Sequence, residues 1–300
     1  MLNQDNATPV ALGTSGLHAS RLGWGMWRLR GSATEALNLS HAALDVGMTL
    51  FDTADIYGLD GDGFGSAEEL LGKAFALDKG LRAKITLATK GGITPPVPYD
   101  SSTSYLIAAC EASLKRLQTD VIDLYQVHRP DLLAHPAEVA EAMVRLHQAG
   151  KIRAAGVSNY TPAQTRALSA LMAVPLVSTQ PEFSALAIEP LSDGTLDLAM
   201  EQGLAVMAWS PLAQGRLAQT SSDARTIAVG SALDTVAERA GVSRAAAAIA
   251  WVLAHPSRPI ALIGTQSSQR LPDIAKSQQI NLTRAEWYAV LVASRGQPMP

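Results

Sequence analysis

The sequence has one cysteine, Cys110, in 300 residues. An internal disulfide is therefore impossible, and a reducing compartment is the natural setting. Aromatic residues make up 5% and charged residues 17%, with a formal net charge of −3. No basic excess points to nucleic acid or an anionic membrane as a partner. No apolar run approaches the ~20 residues that a membrane-spanning helix needs. The opening stretch, Met1 to Pro9, is polar, carries Asp5 and has no basic residue. It lacks the basic-then-apolar pattern of a secretory leader, so a cytoplasmic protein is expected. The six histidines show no metal-ligand spacing, so no metal site is expected. A Gly-x-Gly-x-x-Gly after the first strand is also missing, so a Rossmann site is not indicated.

What is present is a large apolar fraction, 47%, arranged as short apolar runs alternating with longer amphipathic ones. The candidate strands are Arg21–Trp24, Thr49–Asp52, Ile85–Thr89, Val121–Val127, Arg153–Val157, Leu176–Thr179, Leu204–Trp209 and Ile260–Ile263. Helical patterns fill the gaps: Ala33–Asp45, Ser66–Ala76, Ser101–Leu117, Pro136–Ala149, Thr161–Leu171, Thr195–Gln202, Thr226–Ala240, Ser243–Ala254 and a terminal Arg284–Ser294. Ser32 or Thr34 is expected to cap the first, and Ser66 with Glu69 reads as a capping box. Cys110 lies on an amphipathic helix and is expected to be buried and structural. Such alternation implies parallel strands with right-handed crossovers, and eight units favour a closed barrel. The expectation is a single α/β domain over residues 1–300, a (β/α)₈ TIM barrel. Val10–Ala19, with Gly13 and Gly16, reads as an N-terminal β-hairpin capping its floor. Extra helices are expected near the C-terminus.

In this fold chemistry sits at the C-terminal strand ends. Asp52 ends the second strand and Tyr57 follows it, Lys90 ends the third, and His128 ends the fourth. Singly, each has a plain reading: a turn cap, a solvated cation, a satisfied structural imidazole. Together they form a coherent device. A phenol of pKa ~10 is a poor acid at neutral pH. A close ammonium favours the phenolate: unit charges ~4 Å apart interact by ~4 kcal/mol at an effective dielectric near 20. At ~1.4 kcal/mol per unit, a downward shift of a unit or more is expected for Tyr57 after desolvation takes its share. Asp52 would keep Lys90 charged, and His128 would orient a carbonyl.

The words Phe51-Asp-Thr-Ala-Asp-Ile-Tyr-Gly58 and Gly156-Val-Ser-Asn159, with Lys90 and His128, resemble the aldo-keto reductase superfamily. The resemblance runs from about Leu12 to Ile274 and implies an Asp52–Tyr57–Lys90–His128 tetrad. It also implies NADP(H), bound across the barrel rim. Ser158, Asn159 and Gln180 would hold the nicotinamide carboxamide, with N-capping as the alternative use of Ser158 or Asn159. Trp209 would stack on the ring. Ser210, Pro211, Leu212, Gly215 and Arg216 would lie over the pyrophosphate, and Gly25, Met26 and Trp27 would approach from the first strand. Gly264, Thr265, Gln266, Arg270 and Asp273 would surround the adenosine 2′-phosphate, with Ser267 or Ser268 capping the next helix. Many members carry a Lys at the position of Gly264 and an Asn at that of Ile274, so two contacts are absent here.

The implied reaction is reduction of an aldehyde or ketone, with Tyr57 as general acid. Two other readings stay open. One is an NAD(P)⁺-dependent aldose or alcohol dehydrogenase, and the other is a cofactor-sensing subunit of a membrane channel. The substrate is a small carbonyl compound met by Trp27, Tyr57, His128 and Arg129, although such an arginine is more often a surface or loop contact. Trp24, Trp27 and Trp209 suggest an aromatic wall. Gly58–Gly65 reads as a mobile flap, and Asp55, Asp60 and Asp62 as solvated. The short tail after Ser294 suggests an open pocket.

Overall fold

The computed structural model describes residues 6–300. The expectation for the leading segment concerns residues 1–5 in part, which lie outside the described residues. Two short strands, β1 (Val10–Ala11) and β2 (His18–Ala19), pair antiparallel as the expected hairpin. Eight further strands follow: β3 (Leu22–Gly25), β4 (Leu50–Asp52), β5 (Thr86–Gly91), β6 (Ile122–Val127), β7 (Ile152–Ser158), β8 (Leu176–Gln180), β9 (Ala205–Ala208) and β10 (Ile260–Ile263). All pair in parallel, and β10 pairs with both β9 and β3, so the sheet closes on itself. The helices are α1 (Ala33–Asp45), α2 (Ser66–Leu77), α3 (Thr103–Leu117), α4 (Pro136–Gln148), α5 (Pro162–Ser169), α6 (Thr195–Gln202), α7 (Ala224–Ala240), α8 (Arg244–Leu253), α9 (Leu271–Ala275) and α10 (Arg284–Arg295). Both α7 and α8 fall between β9 and β10, so one is additional to the barrel, and α10 packs on α7. No helix among the described residues is long and apolar enough to cross a membrane.

Local chemistry sets the helix starts. Ser32 caps α1 in a capping box with Glu35, Thr161 caps α5 with Gln164, and Thr283 caps α10 with Glu286. The expected box at Ser66 and Glu69 does not form. Gly65, in a left-handed conformation, is the N-cap of α2, and Ser66 is its first residue. The Ser66 hydroxyl lies against Gly58, where a Cβ would overlap it. Gly58 also holds a φ of 101°, which only glycine adopts cheaply.

The core has two shells. The outer shell lies between sheet and helices and contains Trp24, Phe51, Tyr125, Phe183 and Trp251. The inner shell fills the lower lumen with Leu50, Ala88, Leu124, Ala154, Met207, Ile260 and Leu262. Leu12 of the hairpin joins it, closing the floor. The two shells follow from the two-residue period of a strand, which sends alternate side chains in and out. That period corrects one expectation. Trp24 points outward, packs edge-on against Phe51 with centroids 5.0 Å apart, and is fully buried, so it cannot wall a pocket. Cys110 is buried on α3 as expected, and burial pushes its thiol up to about 12.

Candidate active site

Two residues up from the apolar lumen, the same inward-facing columns turn polar. Leu50 gives way to Asp52 on β4, Ala88 to Lys90 on β5, and Leu124 to Gln126 and then His128 at the end of β6. Lys90 is fully buried. Its three protons have three acceptors: Asp52 Oδ2 at 2.7 Å, the Thr53 carbonyl at 2.8 Å and the Tyr57 hydroxyl at 3.4 Å. The Tyr57 ring stands edge-on to the His128 imidazole, with centroids 5.7 Å apart. The structure therefore brings together all four residues that the sequence singled out.

Their electrostatics differ from the simple expectation at one point. Burial alone would lower the Lys90 pKa, but the neighbouring Asp52 and Tyr57 outweigh it and raise it, so the ammonium persists. The Tyr57 phenol is pushed up by burial, against the pull of Lys90, and Asp52 adds to the rise. The expected downward shift gave desolvation and the Asp52 charge too small a share against the ammonium. The consequence is a phenol that holds its proton at neutral pH beside a cation able to stabilise the phenolate once it is delivered. His128 is driven well below the usual histidine range by burial and by Lys90 and Arg129. It is neutral, and its Nδ1 is buried without a partner.

The residues expected around a cofactor line the same mouth. The Ser158 hydroxyl donates to the Gln180 carbonyl at 2.9 Å. Asn159, at a φ of 59°, donates to the His128 carbonyl at 3.2 Å and accepts from the Trp209 indole at 3.0 Å. Neither caps α5, which Thr161 does. Gln180 reaches inward and donates to Asp52 Oδ1 at 3.1 Å. Trp209 is half-buried at the rim. On either side of Pro211 and Leu212, the loop twists through positive φ at Ser210, Ala213, Gln214 and Gly215. Such strain is characteristic of ligand cradles. Arg216 lies exposed on this loop and donates to the Ala213 carbonyl at 3.3 Å. Across the mouth Met26 is buried while Trp27 is 50% exposed, with the Arg28 guanidinium 5.0 Å from its ring centroid.

The segment after β10 is held by Trp24, whose indole donates to the Thr265 carbonyl at 3.4 Å. The Thr265 hydroxyl accepts the Ser267 amide, and Gln266 folds back on the Thr265 carbonyl. Neither Ser267 nor Ser268 makes the expected side-chain cap. The Arg270 side chain is exposed and makes no hydrogen bond or ion pair among the described residues. Gly264 faces open space. Asp273 is engaged otherwise: its carboxylate accepts the hydroxyl of Ser243, the N-cap of α8, and pairs with Lys276 at 3.5 Å. An exposed cation and a strained loop with backbone amides fit an anionic dinucleotide along this rim.

Several site residues escaped the sequence reading. Asp55 was expected to be solvated. It is instead 1% exposed, with both carboxylate oxygens unpartnered. Burial and the nearby Glu68 push it well above the usual carboxylate range, so it is a neutral acid. Asp60 and Asp62 are exposed, as expected. Glu68, buried on α2, binds Thr89 at 2.5 Å and Arg116 at 2.7 Å behind the Lys90 strand. Gln126 and Ser178 also lie in the upper lumen. The two-residue period alone marks Gln126, which lies midway between Leu124 and His128. The Gly58–Gly65 segment is a series of hydrogen-bonded turns, with the Gly61 and Gly63 amides both on the Gly58 carbonyl.

A barrel of this topology with this lumen matches one group of oxidoreductases throughout. The aldo/keto reductase family model matches residues 21–291, and the chain belongs to that family. Its members use nicotinamide cofactors. Among curated relatives, the 6-dehydroglucose reductase of Novosphingobium aromaticivorans is 50% identical over 293 residues, spanning 96% of each chain. The 6-dehydroglucose reductase of Agrobacterium fabrum is 34% identical and covers 94% of this chain and 96% of that one. Among solved structures, the thermostable aldo-keto reductase Tm1743, crystallised with the inhibitor epalrestat, is similar at a TM-score of 0.83. It is 27% identical, and the match covers 95% of this chain and 99% of that one.

Proposed function

We propose that this protein is a cytoplasmic, NADP(H)-dependent reductase of sugar aldehydes, with Tyr57 as general acid. One observation carries the reading: a Tyr57 hydroxyl 3.4 Å from a buried Lys90 ammonium that Asp52 holds at 2.7 Å, with neutral His128 beside the phenol. When bound, the nicotinamide supplies the hydride to the carbonyl carbon. Tyr57 donates its proton to the carbonyl oxygen. Lys90 stabilises the resulting phenolate, and the next proton restores the phenol. His128, being neutral, offers a hydrogen bond to the same oxygen without competing as an acid. The raised Tyr57 pKa keeps the phenol protonated at neutral pH, the form that reduction needs.

The substrate class rests on the two 6-dehydroglucose reductases and on Trp27. Its half-exposed ring, backed by Arg28, suits the apolar face of a sugar. Arg129 stands at the rim with no side-chain hydrogen bond or ion pair among the described residues and can donate to hydroxyl groups. Arg270 and Thr265 would take the 2′-phosphate, which favours NADPH over NADH. Ser158, Asn159 and Gln180 would take the carboxamide.

The test is Tyr57→Phe assayed with NADPH and a panel of aldehydes, ketones and dehydro-sugars. The expected loss in kcat is ~10²–10⁴-fold with cofactor binding intact. Full retention of reduction would sink the assignment. Arg270→Ala should weaken NADPH and leave NADH unchanged.

A further inference from the structure

The upper lumen contains a polar pair that the proposed reaction does not touch. Gln126 on β6 and Ser178 on β8 are both fully buried. The Ser178 hydroxyl donates to Gln126 Oε1 at 3.4 Å, and Gln126 Nε2 donates to Asp52 Oδ1 at 3.5 Å. Gln180 donates to that same oxygen at 3.1 Å. Asp52 therefore has divided duties. Oδ2 faces Lys90, and Oδ1 faces two carboxamides from the far side of the barrel.

The sequence gives up space to build this rung. Gly156 on β7 pairs in register with Gln126. A Cβ on Gly156 would overlap the Ser178 hydroxyl and lie 3.1 Å from Gln126 Cγ. Apolar side chains fill the layer below, so a buried glutamine here needs partners, and Asp52 and Ser178 are the two it has among the described residues. Without donors at Oδ1, a buried carboxylate oxygen would be left bare, which is costly.

The geometry points to Gln126, held by Ser178, as a positioning residue that fixes the Asp52 carboxylate and so sets how much of the Lys90 charge reaches Tyr57. The inference rests on Tyr57 being the acid. Donors at Oδ1 draw negative charge away from Oδ2. Removing one returns that charge to Lys90, so less of the cation is felt at Tyr57, which then releases its proton less readily.

The experiment is kcat against pH for the full chain with saturating NADPH and aldehyde, in wild type, Tyr57→Phe, Gln126→Met and Ser178→Ala. Cofactor affinity is measured in parallel by fluorescence titration. Tyr57→Phe identifies which pH limb belongs to the phenol. Gln126→Met should lower kcat about five- to tenfold and move that limb about half a pH unit upward. NADPH affinity should stay within about twofold, because Gln126 has no exposed surface. Ser178→Ala should shift the limb the same way by less, and it carries the test if Gln126→Met does not fold. A limb unmoved in both variants would overturn the inference. So would a pH-independent loss with weakened NADPH, which marks a packing role. If Tyr57→Phe itself keeps the limb, the Tyr57 reading fails first. If the limb vanishes there but stays in place in Gln126→Met, only the positioning role fails.

Discussion

The lower and upper halves of this barrel are built from the same inward columns yet obey opposite rules. In the lower half Leu50, Ala88 and Leu124 pack with Leu12 as an apolar layer. Two residues up the same strands, Asp52, Lys90 and Gln126 are equally buried, and each depends on the others. The lower half is apolar packing, whose loss costs stability. The upper half is a closed electrostatic account, whose loss costs chemistry. The sharpest way to break that division is Lys90→Met, which leaves Asp52 buried without its cation. Losing one partner of a buried pair typically costs ~3–5 kcal/mol. Here kcat should also fall by at least ~10³-fold, because Tyr57 loses its phenolate stabiliser. Thermal unfolding and single-turnover reduction measure the two. A variant that stays active would dissolve the distinction.

The complementary change lies one layer down. Leu124→Ala should cost ~2–5 kcal/mol in denaturant unfolding through the cavity it leaves. Its kcat per folded molecule should match wild type, since Leu124 touches only the apolar layer. A large drop in kcat at full folding would show that the two halves are coupled more tightly than their chemistry suggests.

Acid titration separates the halves by a third route. His255 follows α8 at the floor, where its Nδ1 accepts the Ser257 amide at 3.2 Å and its ring packs against Phe183 and Trp287. Burial lowers its pKa to about 4. His128, at the mouth, is lowered in the same direction. In both cases the unfolded chain binds protons that the folded one refuses. Their contribution is therefore complete above pH ~6.5 and is lost as pH falls, at up to ~1.4 kcal/mol per pH unit for each ring. For His255 that loss ends near pH 4. His255→Gln should flatten the acid side of the stability profile without altering kcat. His128→Gln should flatten it and lower kcat as well. Equal effects of both on kcat would contradict the division.

Much of this was legible in the sequence because strand alternation and turn chemistry are local. All eight barrel strands fall within a few residues of their expected bounds, and the four residues at successive strand ends converge as expected. The misreadings share a cause: they concern where a side chain points or what it meets across the fold. Trp24 reads as a pocket wall until the alternation is counted from Gly23, which faces Leu50 and Leu262 in the lumen. Asp55 resembles a solvated loop acid, yet its backbone amide is tied to the Lys90 carbonyl at 3.0 Å and drawn inside. Ser66 has the spacing of a cap, but Gly65 takes the N-cap position and the Ser66 hydroxyl lies against Gly58, a contact that no local pattern reveals. The direction of the Tyr57 shift was missed for the same reason, since desolvation depends on the completed lumen.

The smallest expected effect lies at the edge of the upper half, at Gly264, where the family resemblance implies a charge that this chain lacks. Gly264 follows β10, has no positive φ, and would place a Cβ in open space. Gly264→Lys should therefore fold without strain and add a second cation near Arg270. A solvent-exposed charge pair contributes ~0.2–1 kcal/mol, so NADPH affinity should rise only by about two- to fivefold, with NADH unchanged. The gain should shrink as ionic strength rises and the Debye length falls below ~8 Å. Equal tightening of both cofactors would mean that the 2′-phosphate does not bind beside Gly264. No tightening at low salt, with Arg270→Ala still selective against NADPH, would place the phosphate on Arg270 alone.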